Sequence, residues 1–245
     1  MLIIAERINA SRKSIAQAIS AADRAFIQGE AKTQTEAGAQ YIDVNAGTFV
    51  GEETEKLKWI VEAVQEVTDL PLSIDSPDPE VIRAILPLVK KAPMINSITL
   101  EPARLAGILP LVVEKKTKII ALCQSEQAMA ETADDKVRLA GLLVERLTGA
   151  GVPLDDIHID PLVYPLSTNP KSAAATLEAI RRIMIEFPGV HTVCGLTNVS
   201  FGLPARKLVN RAFLAAAIAM GLDSAIIDPT DKLLFAMLKA STVIA

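Results

Sequence analysis

Apolar runs recur along the whole chain, and each carries a carboxylate or carboxamide side chain near its C-terminal end. In chain order these polar residues are Asn9, Asn45, Asp75, Asn96, Gln124, Asp160, Asn198 and Asp228. A buried Asp can accept two neighbouring N–H donors, and an Asn can both donate and accept. Such a set suits a neutral, nitrogen-rich heterocycle; the 2-amino-4-oxo edge of a pterin fits it, although composition alone does not single out a pterin. The competing interpretation is that these residues cap the helices that follow.

Residue types missing from these positions narrow the chemistry. The sequence has no His-x-His motif and no histidine–carboxylate cluster, so no protein-bound metal is predicted. A lysine at a strand end, as Schiff-base chemistry requires, is also missing, as is a glycine-rich phosphate loop. Thr197 and Ser200 have no histidine near them in sequence to activate them. Cys123 and Cys194 lie within apolar runs and are interpreted as small buried residues.

The elements that would position these residues alternate between strands and helices. Eight strands are predicted, at Leu2–Ile8, Tyr41–Val44, Leu72–Ile74, Met94–Ile98, Lys118–Leu122, Ile157–Ile159, Thr192–Leu196 and Ala225–Ile227. Helical spacing is found at Thr54–Glu66, Pro79–Val89, Asp134–Leu147, Ser172–Glu186 and Leu208–Met220. Continuous apolar strands are typical of a parallel sheet covered on both faces. The count predicts an α/β fold, a (β/α)₈ TIM barrel of one domain over 1–245, with a doubly wound open sheet as the competitor.

Composition limits the partners. Of the 245 residues, 50% are hydrophobic, and the formal net charge is −4 without a basic block. Intrinsic disorder is thereby excluded, and neither a nucleic acid nor a membrane is expected as partner. The longest apolar stretch, Ala212 to Leu222, is too short to span a bilayer. Two cysteines, and an N-terminus unlike a signal peptide, indicate a cytoplasmic protein.

Six short motifs in a fixed order carry a family resemblance. They are AERIN at Ala5–Asn9, DVNAG at Asp43–Gly47, SIDSP at Ser73–Pro77, MINSI at Met94–Ile98, HIDPL at His158–Leu162 and GLTNVSFGLPAR at Gly195–Arg206. In this order they resemble the pterin-binding methyltransferases, and more narrowly the methyltetrahydrofolate:corrinoid-protein methyltransferases. That family includes the folate components of bacterial demethylase systems, so a role in O-demethylation is expected.

The resemblance implies roles for particular residues. Asp75, Asn96 and Asp160 would hold the pterin, and Asn198 would lie near the methyl-bearing N5, so Asn198 and Asp160 are the expected catalytic pair. The residues expected to surround them are Asn9, Asn45, Gln124, Ser200, Arg206 and Asp228. The implied protein is a homodimeric barrel. Its substrate would be tetrahydrofolate or 5-methyltetrahydrofolate, and a separate protein would carry the corrinoid (cobalamin).

Two other functions remain open at this point. Dihydropteroate synthases share the implied fold, but resemble a pattern with a basic residue after the seventh strand and a histidine near the last one. This chain has Asn198-Val199-Ser200 and Asp228-Pro229-Thr230 at those places, which favours methyl transfer. A non-catalytic folate carrier is the third possibility, although retention of a pterin gives no reason for an amide at position 198.

His158 is interpreted as a core histidine facing the barrel interior. It lies in the closest match to the corrinoid-binding pattern Asp-x-His-x-x-Gly, at 156–161, where Pro161 replaces the glycine. Because it also falls on a predicted strand, the sequence predicts that this chain does not hold its own corrinoid.

Overall fold

The structure, a computed structural model, describes residues 1–126 and 130–245. In this part of the chain all strands belong to one parallel sheet, in the order β7-β6-β5-β4-β3-β2-β1-β8. The strands are β1 (Leu2–Asn9), β2 (Tyr41–Asn45), β3 (Leu72–Asp75), β4 (Met94–Ile98), β5 (Lys118–Leu122), β6 (Ile157–Asp160), β7 (His191–Thr192) and β8 (Ser224–Ile227). The first strand pairs with both the second and the last. The predicted (β/α)₈ barrel is confirmed, and the open sheet is excluded.

Helices cover the outside of the barrel. They are α1 (Lys13–Ser20), α2 (Arg24–Glu36), α3 (Glu53–Gln65), α4 (Pro79–Ile85), α5 (Pro102–Lys115), α6 (Ala133–Gly149), α7 (Ser172–Glu186), α8 (Arg206–Ala219) and α9 (Lys232–Ile244). The predicted spacing in α3 is confirmed, because Leu57, Ile60, Val61 and Val64 are all buried. No helix of the described residues is both long and apolar enough to cross a membrane.

The predicted fourth helix is too long at its C-terminal end. After Ile85 the chain forms a 3₁₀ turn at Leu86–Leu88 rather than continuing to Val89. Pro87 is the cause, because proline has no backbone N–H and restricts the residue before it.

The predicted seventh strand is wrong over most of its length. Only His191–Thr192 form a strand, and Leu196–Ser200 form a 3₁₀ helix instead. Beyond β7, an isolated bridge between Gly195 and Ile226 joins this segment to β8. The apolar run had suggested a strand because Val193, Cys194 and Leu196 are fully buried, but burial does not require sheet pairing.

The barrel interior is packed with side chains rather than hollow. Ile4, Met94, Ile120 and Val193 form one buried cluster from four different strands or strand ends. Such a layer is typical of this fold, and it leaves the C-terminal ends of the strands as the place for a site. Cys123 and Cys194 are both free and buried, as predicted.

Candidate active site

A cavity of about 930 Å³ opens at the C-terminal ends of the strands. Six of the residues singled out from the sequence line it: Asn9, Asp75, Asn96, Asn198, Arg206 and Asp228. Asn45, Gln124, Asp160 and Ser200 are not part of this lining. Within 1–126 and 130–245, no group of three or more His, Cys, Asp or Glu side chains is arranged to hold a metal ion.

Asp75 lies at the last position of β3, at the cavity floor. Asn45, on the neighbouring strand, donates from Nδ2 to Oδ2 of Asp75 at 3.0 Å and accepts at Oδ1 from the N–H of Gly47. These two bonds fix the Asn45 amide. Burial, and then the negative charge of Asp43, raise the pKa of Asp75 well above its ordinary value. Asn45 therefore orients a carboxyl group whose ionised form is disfavoured by burial and by the charge of Asp43, and its hydrogen bond partly offsets that effect.

Asp43 is a buried member of the site that the sequence analysis did not single out. Its Oδ1 accepts from Oγ of Ser73 at 2.7 Å and from Nδ2 of Asn96 at 3.2 Å. Burial raises the pKa of Asp43 to about 6, against these two hydrogen bonds. Asp43 was detectable, because it lies two residues before Asn45 and so on the same face of β2.

Glu6 is the second residue that was missed. It lies on β1, lines the cavity, and accepts from Oγ1 of Thr197 at 3.4 Å. Burial raises the pKa of Glu6 from 4.5 to about 7; the charge of Arg12 opposes this rise and that of Asp228 adds to it. A carboxyl group with such a pKa can both give and take a proton near neutrality.

Asp160 lies at the end of β6 and is not part of the cavity lining. The residue is 6% exposed, and its Oδ1 accepts from the backbone N–H of Leu162 at 2.8 Å. Burial raises the pKa of Asp160 to about 6. The backbone of Gly195, a residue of the cavity lining, opposes this rise, so Asp160 lies next to the site.

Asn198 is exposed to the cavity on the 3₁₀ helix Leu196–Ser200. A Cβ atom at position 195 would lie only 3.2 Å from its Nδ2, so Gly195 leaves the room that the amide occupies. Arg206 braces this segment, donating to Oγ of Ser200 at 3.1 Å and to the carbonyl of Thr197 at 3.0 Å. Ser200 is therefore buried beside the site, as an acceptor that holds Arg206.

Three of the predicted residues are held by local turns or by other side chains. Oδ1 of Asn9 accepts from the N–H of Ser11, and Oδ1 of Asp228 accepts from the N–H of Thr230. These are turn bonds of the kind that the capping interpretation predicted. Gln124 donates to Glu101 at 2.9 Å, outside the cavity lining.

Basic residues lie at the cavity's rim, above the acidic floor of Glu6, Asp43 and Asp75. They are Arg12, Arg206 and Lys207; the fourth basic residue of the lining, Arg7, is paired with Glu30 and Asp228. The exposed ring of Phe201 lies beside them, 5.6 Å from the guanidinium carbon of Arg206. Isolated basic residues give no sequence signal, so only the fold brings Arg12 and Lys207 together.

His158 lies at the opposite end of the barrel, near the start of β6. It is 2% exposed, its Nδ1 is 3.0 Å from Oγ of Ser224, and its ring stacks on that of His191 at 4.7 Å between centroids. Burial lowers the pKa of His158 to about 3. The interpretation as a core histidine is confirmed.

Sequence comparison shows which class of proteins this parallel barrel and its polar cavity belong to. A family model described as "Pterin binding enzyme" matches residues 5–228. The chain belongs to this family, as the motifs predicted.

Individual relatives narrow the resemblance. The chain is 41% identical over 237 residues to the methylcorrinoid:tetrahydrofolate methyltransferase of Eubacterium limosum, covering 95% of this chain and 86% of that protein. It is 33% identical to methionine synthase of Mycobacterium tuberculosis, over 95% of this chain but only 21% of that longer protein. The chain thus spans about a fifth of the methionine synthase.

Solved structures of similar fold include dihydropteroate synthases. One from Xanthomonas albilineans has a TM-score of 0.73 and 22% identity, over 99% of this chain and 93% of that one. One from Coxiella burnetii has a TM-score of 0.73 and 18% identity, over the same shares. At such identities the likeness concerns the fold.

Proposed function

We propose that this enzyme transfers a methyl group between N5 of tetrahydrofolate and the cobalt of a corrinoid carried by a separate protein. The observation that carries the proposal is that Asp75, Asn96 and Asn198 line one cavity. The name of the 41% identical relative, which covers both substrates, supports it. The proposal takes residues 1–245 as one pterin-binding domain.

In this proposal Asp75, Asn96 and Asp160 recognise the pterin edge. Each is already held by neighbours: Asp75 by Asn45, Asn96 by Asp43, and Asp160 by the N–H of Leu162. Preorganised acceptors bind a donor-rich ring without a further cost of ordering. The pterin N–H groups would also stabilise the ionised carboxylates, which burial otherwise disfavours.

On the other side of the cavity, residues must assist N5 of the folate as it leaves the methyl group. When the bond between N5 and the methyl carbon breaks, N5 must gain a proton or a strong hydrogen bond. Asn198 does not ionise, but its amide can donate a hydrogen bond that strengthens as charge develops. Glu6, linked to this segment through Thr197, is the group we assign to hold the proton. The corrinoid supplies the cobalt that accepts or donates the methyl group.

The rim explains how the rest of a folate would fit. The glutamate end of a folate carries carboxylates, and Arg12, Arg206 and Lys207 present positive charge at the mouth of the cavity. A donor-rich ring in the acidic floor and an anionic tail at the basic rim match the two ends of such a ligand.

The remaining parts of the proposal concern the location of the enzyme, its oligomeric state and the process it serves. We assign the enzyme to the cytoplasm as a homodimer that serves O-demethylation, on the strength of the motif resemblance. The reaction is reversible in principle, and the partner protein and metabolite levels set its direction. Dihydropteroate synthesis is the weaker candidate, because the likeness to those enzymes concerns the fold.

The test is turnover with purified protein. Incubation with 5-methyltetrahydrofolate and reduced cobalamin should yield methylcobalamin, followed by its absorption spectrum. Condensation of a dihydropterin diphosphate with 4-aminobenzoate, in place of methyl transfer, would instead support a dihydropteroate synthase. Tight binding of folate without either reaction would support a carrier.

A second experiment asks where the corrinoid is held. After mixing with hydroxocobalamin and gel filtration, the corrinoid should remain in the small-molecule fraction. Stoichiometric co-elution would show that the chain itself provides the corrinoid site.

A further inference from the structure

Lys136 is a fully buried lysine in the middle of the fold. It lies on α6, is 0% exposed, and donates from Nζ to the carbonyl oxygens of Pro161 at 2.7 Å and Leu162 at 2.6 Å. Nζ also lies 4.8 Å from the ring centroid of Tyr164. A lysine is almost never fully buried, because removing its charge from water is costly. Its position in the structure therefore calls for a compensating role.

The carbonyls that it binds belong to the segment that follows Asp160. Leu162 has a φ of +59°, a left-handed conformation that a branched residue rarely adopts. The carbonyl of Leu162 accepts from Lys136 and also from Oγ1 of Thr176 at 3.2 Å. Two donors thus hold an unfavourable backbone conformation in place.

One peptide unit connects Lys136 to Asp160. The carbonyl of Pro161 and the N–H of Leu162 belong to the same peptide group, and that N–H donates to Oδ1 of Asp160 at 2.8 Å. A cation on the carbonyl polarises the peptide and makes its N–H a stronger donor. The positive charge of Lys136 is therefore relayed to the carboxylate without direct contact.

We propose that Lys136 is a positioning residue for Asp160: through the Pro161–Leu162 peptide it orients the carboxylate and stabilises its negative charge for pterin binding. The inference rests on the proposed function, which gives Asp160 its ligand. The proposal also accounts for the burial of the charged Lys136 side chain, which packing alone does not explain.

Among the described residues, Lys136 is the cation whose charge offsets the effect of burial on the pKa of Asp160. Burial raises the pKa of Asp160, and the charge of Lys136 lowers it. The other titratable groups facing this pair are the thiols of Cys123 and Cys194 and the phenol of Tyr164, whose pKa values burial raises, so they stay neutral. Asp135, also on α6, acts on Lys136 from the exposed side.

The experiment measures the affinity for 5-methyltetrahydrofolate by calorimetric titration between about pH 5 and about pH 9. Lys136→Met should bind about tenfold or more weakly near neutrality, and the deficit should shrink as pH rises, because Asp160 then ionises without help. Lys136→Gln, a neutral donor that can still bond the carbonyls, should show the same shift to higher pH. It provides the test if the methionine variant does not fold.

The control is a double-mutant cycle with Asp160→Asn. If Lys136 acts through the charge of Asp160, its replacement should have little effect on affinity in the Asp160→Asn background. An equal loss in both backgrounds, or a loss independent of pH in folded variants, would overturn the inference. Coupling in the cycle without methyl transfer by the wild type would count against the proposed function alone.

Discussion

Carboxyl groups at the end of this barrel share one physical condition: burial disfavours their ionised forms. It raises the pKa of Asp43 and Asp160 to about 6 and that of Glu6 to about 7. Ionisable groups with shifted pKa values are concentrated at functional sites, because binding and catalysis require particular protonation states. Under the proposed function, the N–H groups of the pterin would stabilise the ionised forms of these carboxyl groups.

The two sides of the cavity should respond differently to substitution. Asp75→Ala and Asp160→Ala should lose folate binding by about ten- to a hundredfold, since a hydrogen bond to a charged group contributes about 1.5–3 kcal/mol. Asn198→Ala should instead lower the rate with little change in affinity. Calorimetric titration beside steady-state kinetics separates the two effects. Wild-type affinity in both aspartate variants would sink the assignment.

Glu6 predicts a pH dependence for demethylation of 5-methyltetrahydrofolate. Because the protonated form is the acid and its pKa is about 7, the rate should rise as pH falls through that value. Glu6→Gln should be slower and should lose this dependence. The measurement is single-turnover kinetics with chemistry shown to be rate-limiting. A glutamine variant with the wild-type profile would remove Glu6 from the mechanism.

How far the site could be predicted depended on where each residue sits on its strand. Asp75 ends β3 and Asn198 follows an apolar run, so their positions were readable from the sequence. Glu6 lies inside β1, and only the fold shows that it lines the cavity, whereas Asp43 was readable from its position two residues before Asn45 but was not singled out. Lys136 was not singled out from the sequence, although it shares the helical spacing of Ala140 and Leu143, which α6 buries.

Among the elements, helix packing depends on one close approach. A Cβ atom at Gly107 in α5 would meet Cβ and Cγ of Pro79, at the start of α4, at 2.6 and 2.7 Å. Gly107→Ala should therefore destabilise the fold by about 1–3 kcal/mol through overpacking, although alanine favours helices.

Gly29 provides the matched control. It lies in α2 with nothing within 4 Å of an added Cβ, so Gly29→Ala should stabilise the protein by about 0.5–1 kcal/mol. Urea unfolding of both variants measures the difference. Equal effects of the two substitutions would mean that Pro79 moves aside without cost.

The prediction of elements succeeded where the apolar pattern of the sequence matches the burial in the fold, as in α3 and β3. It failed at β7, because the run after Thr192 is buried by helices and by the barrel interior rather than by strand neighbours. The resulting 3₁₀ helix carries Asn198, so the local failure marks the place where the site is built.

At the scale of the whole molecule, the histidines at the N-terminal ends of β6 and β7 should make the free energy of unfolding depend on pH. Burial alone would lower the pKa of His191, but hydrogen bonds with Asp223 at 2.6 Å and Asp155 at 3.1 Å raise it. Its contribution is thus fully present below the unfolded pKa of about 6.5 and lost as pH rises through the folded value. His191→Gln should therefore lower the free energy of unfolding more at mildly acidic than at alkaline pH.

His158 should act in the opposite sense. Its folded pKa of about 3 means that the unfolded chain binds a proton that the native state refuses, so its contribution is lost as pH falls below about 6.5. Urea unfolding at a series of pH values, for wild type and His191→Gln, checks both signs. A pH-independent effect of His191→Gln would contradict the ion pairing.

The shortness of β7 has a consequence for the barrel's motions. Along this seam the segment after β7 is joined to β8 by an isolated backbone bridge, in which Ile226 donates to the carbonyl of Cys194 at 3.0 Å, while β7 itself is held by side-chain bonds to Asp223. Amide hydrogens over 193–205 should therefore exchange with deuterium sooner than those of β1 to β6, since local opening there breaks few bonds. A bound folate touching Asn198 should slow that exchange. The segment that carries Asn198 would then be the part of the barrel that opens most readily, and a bound substrate would hold it closed.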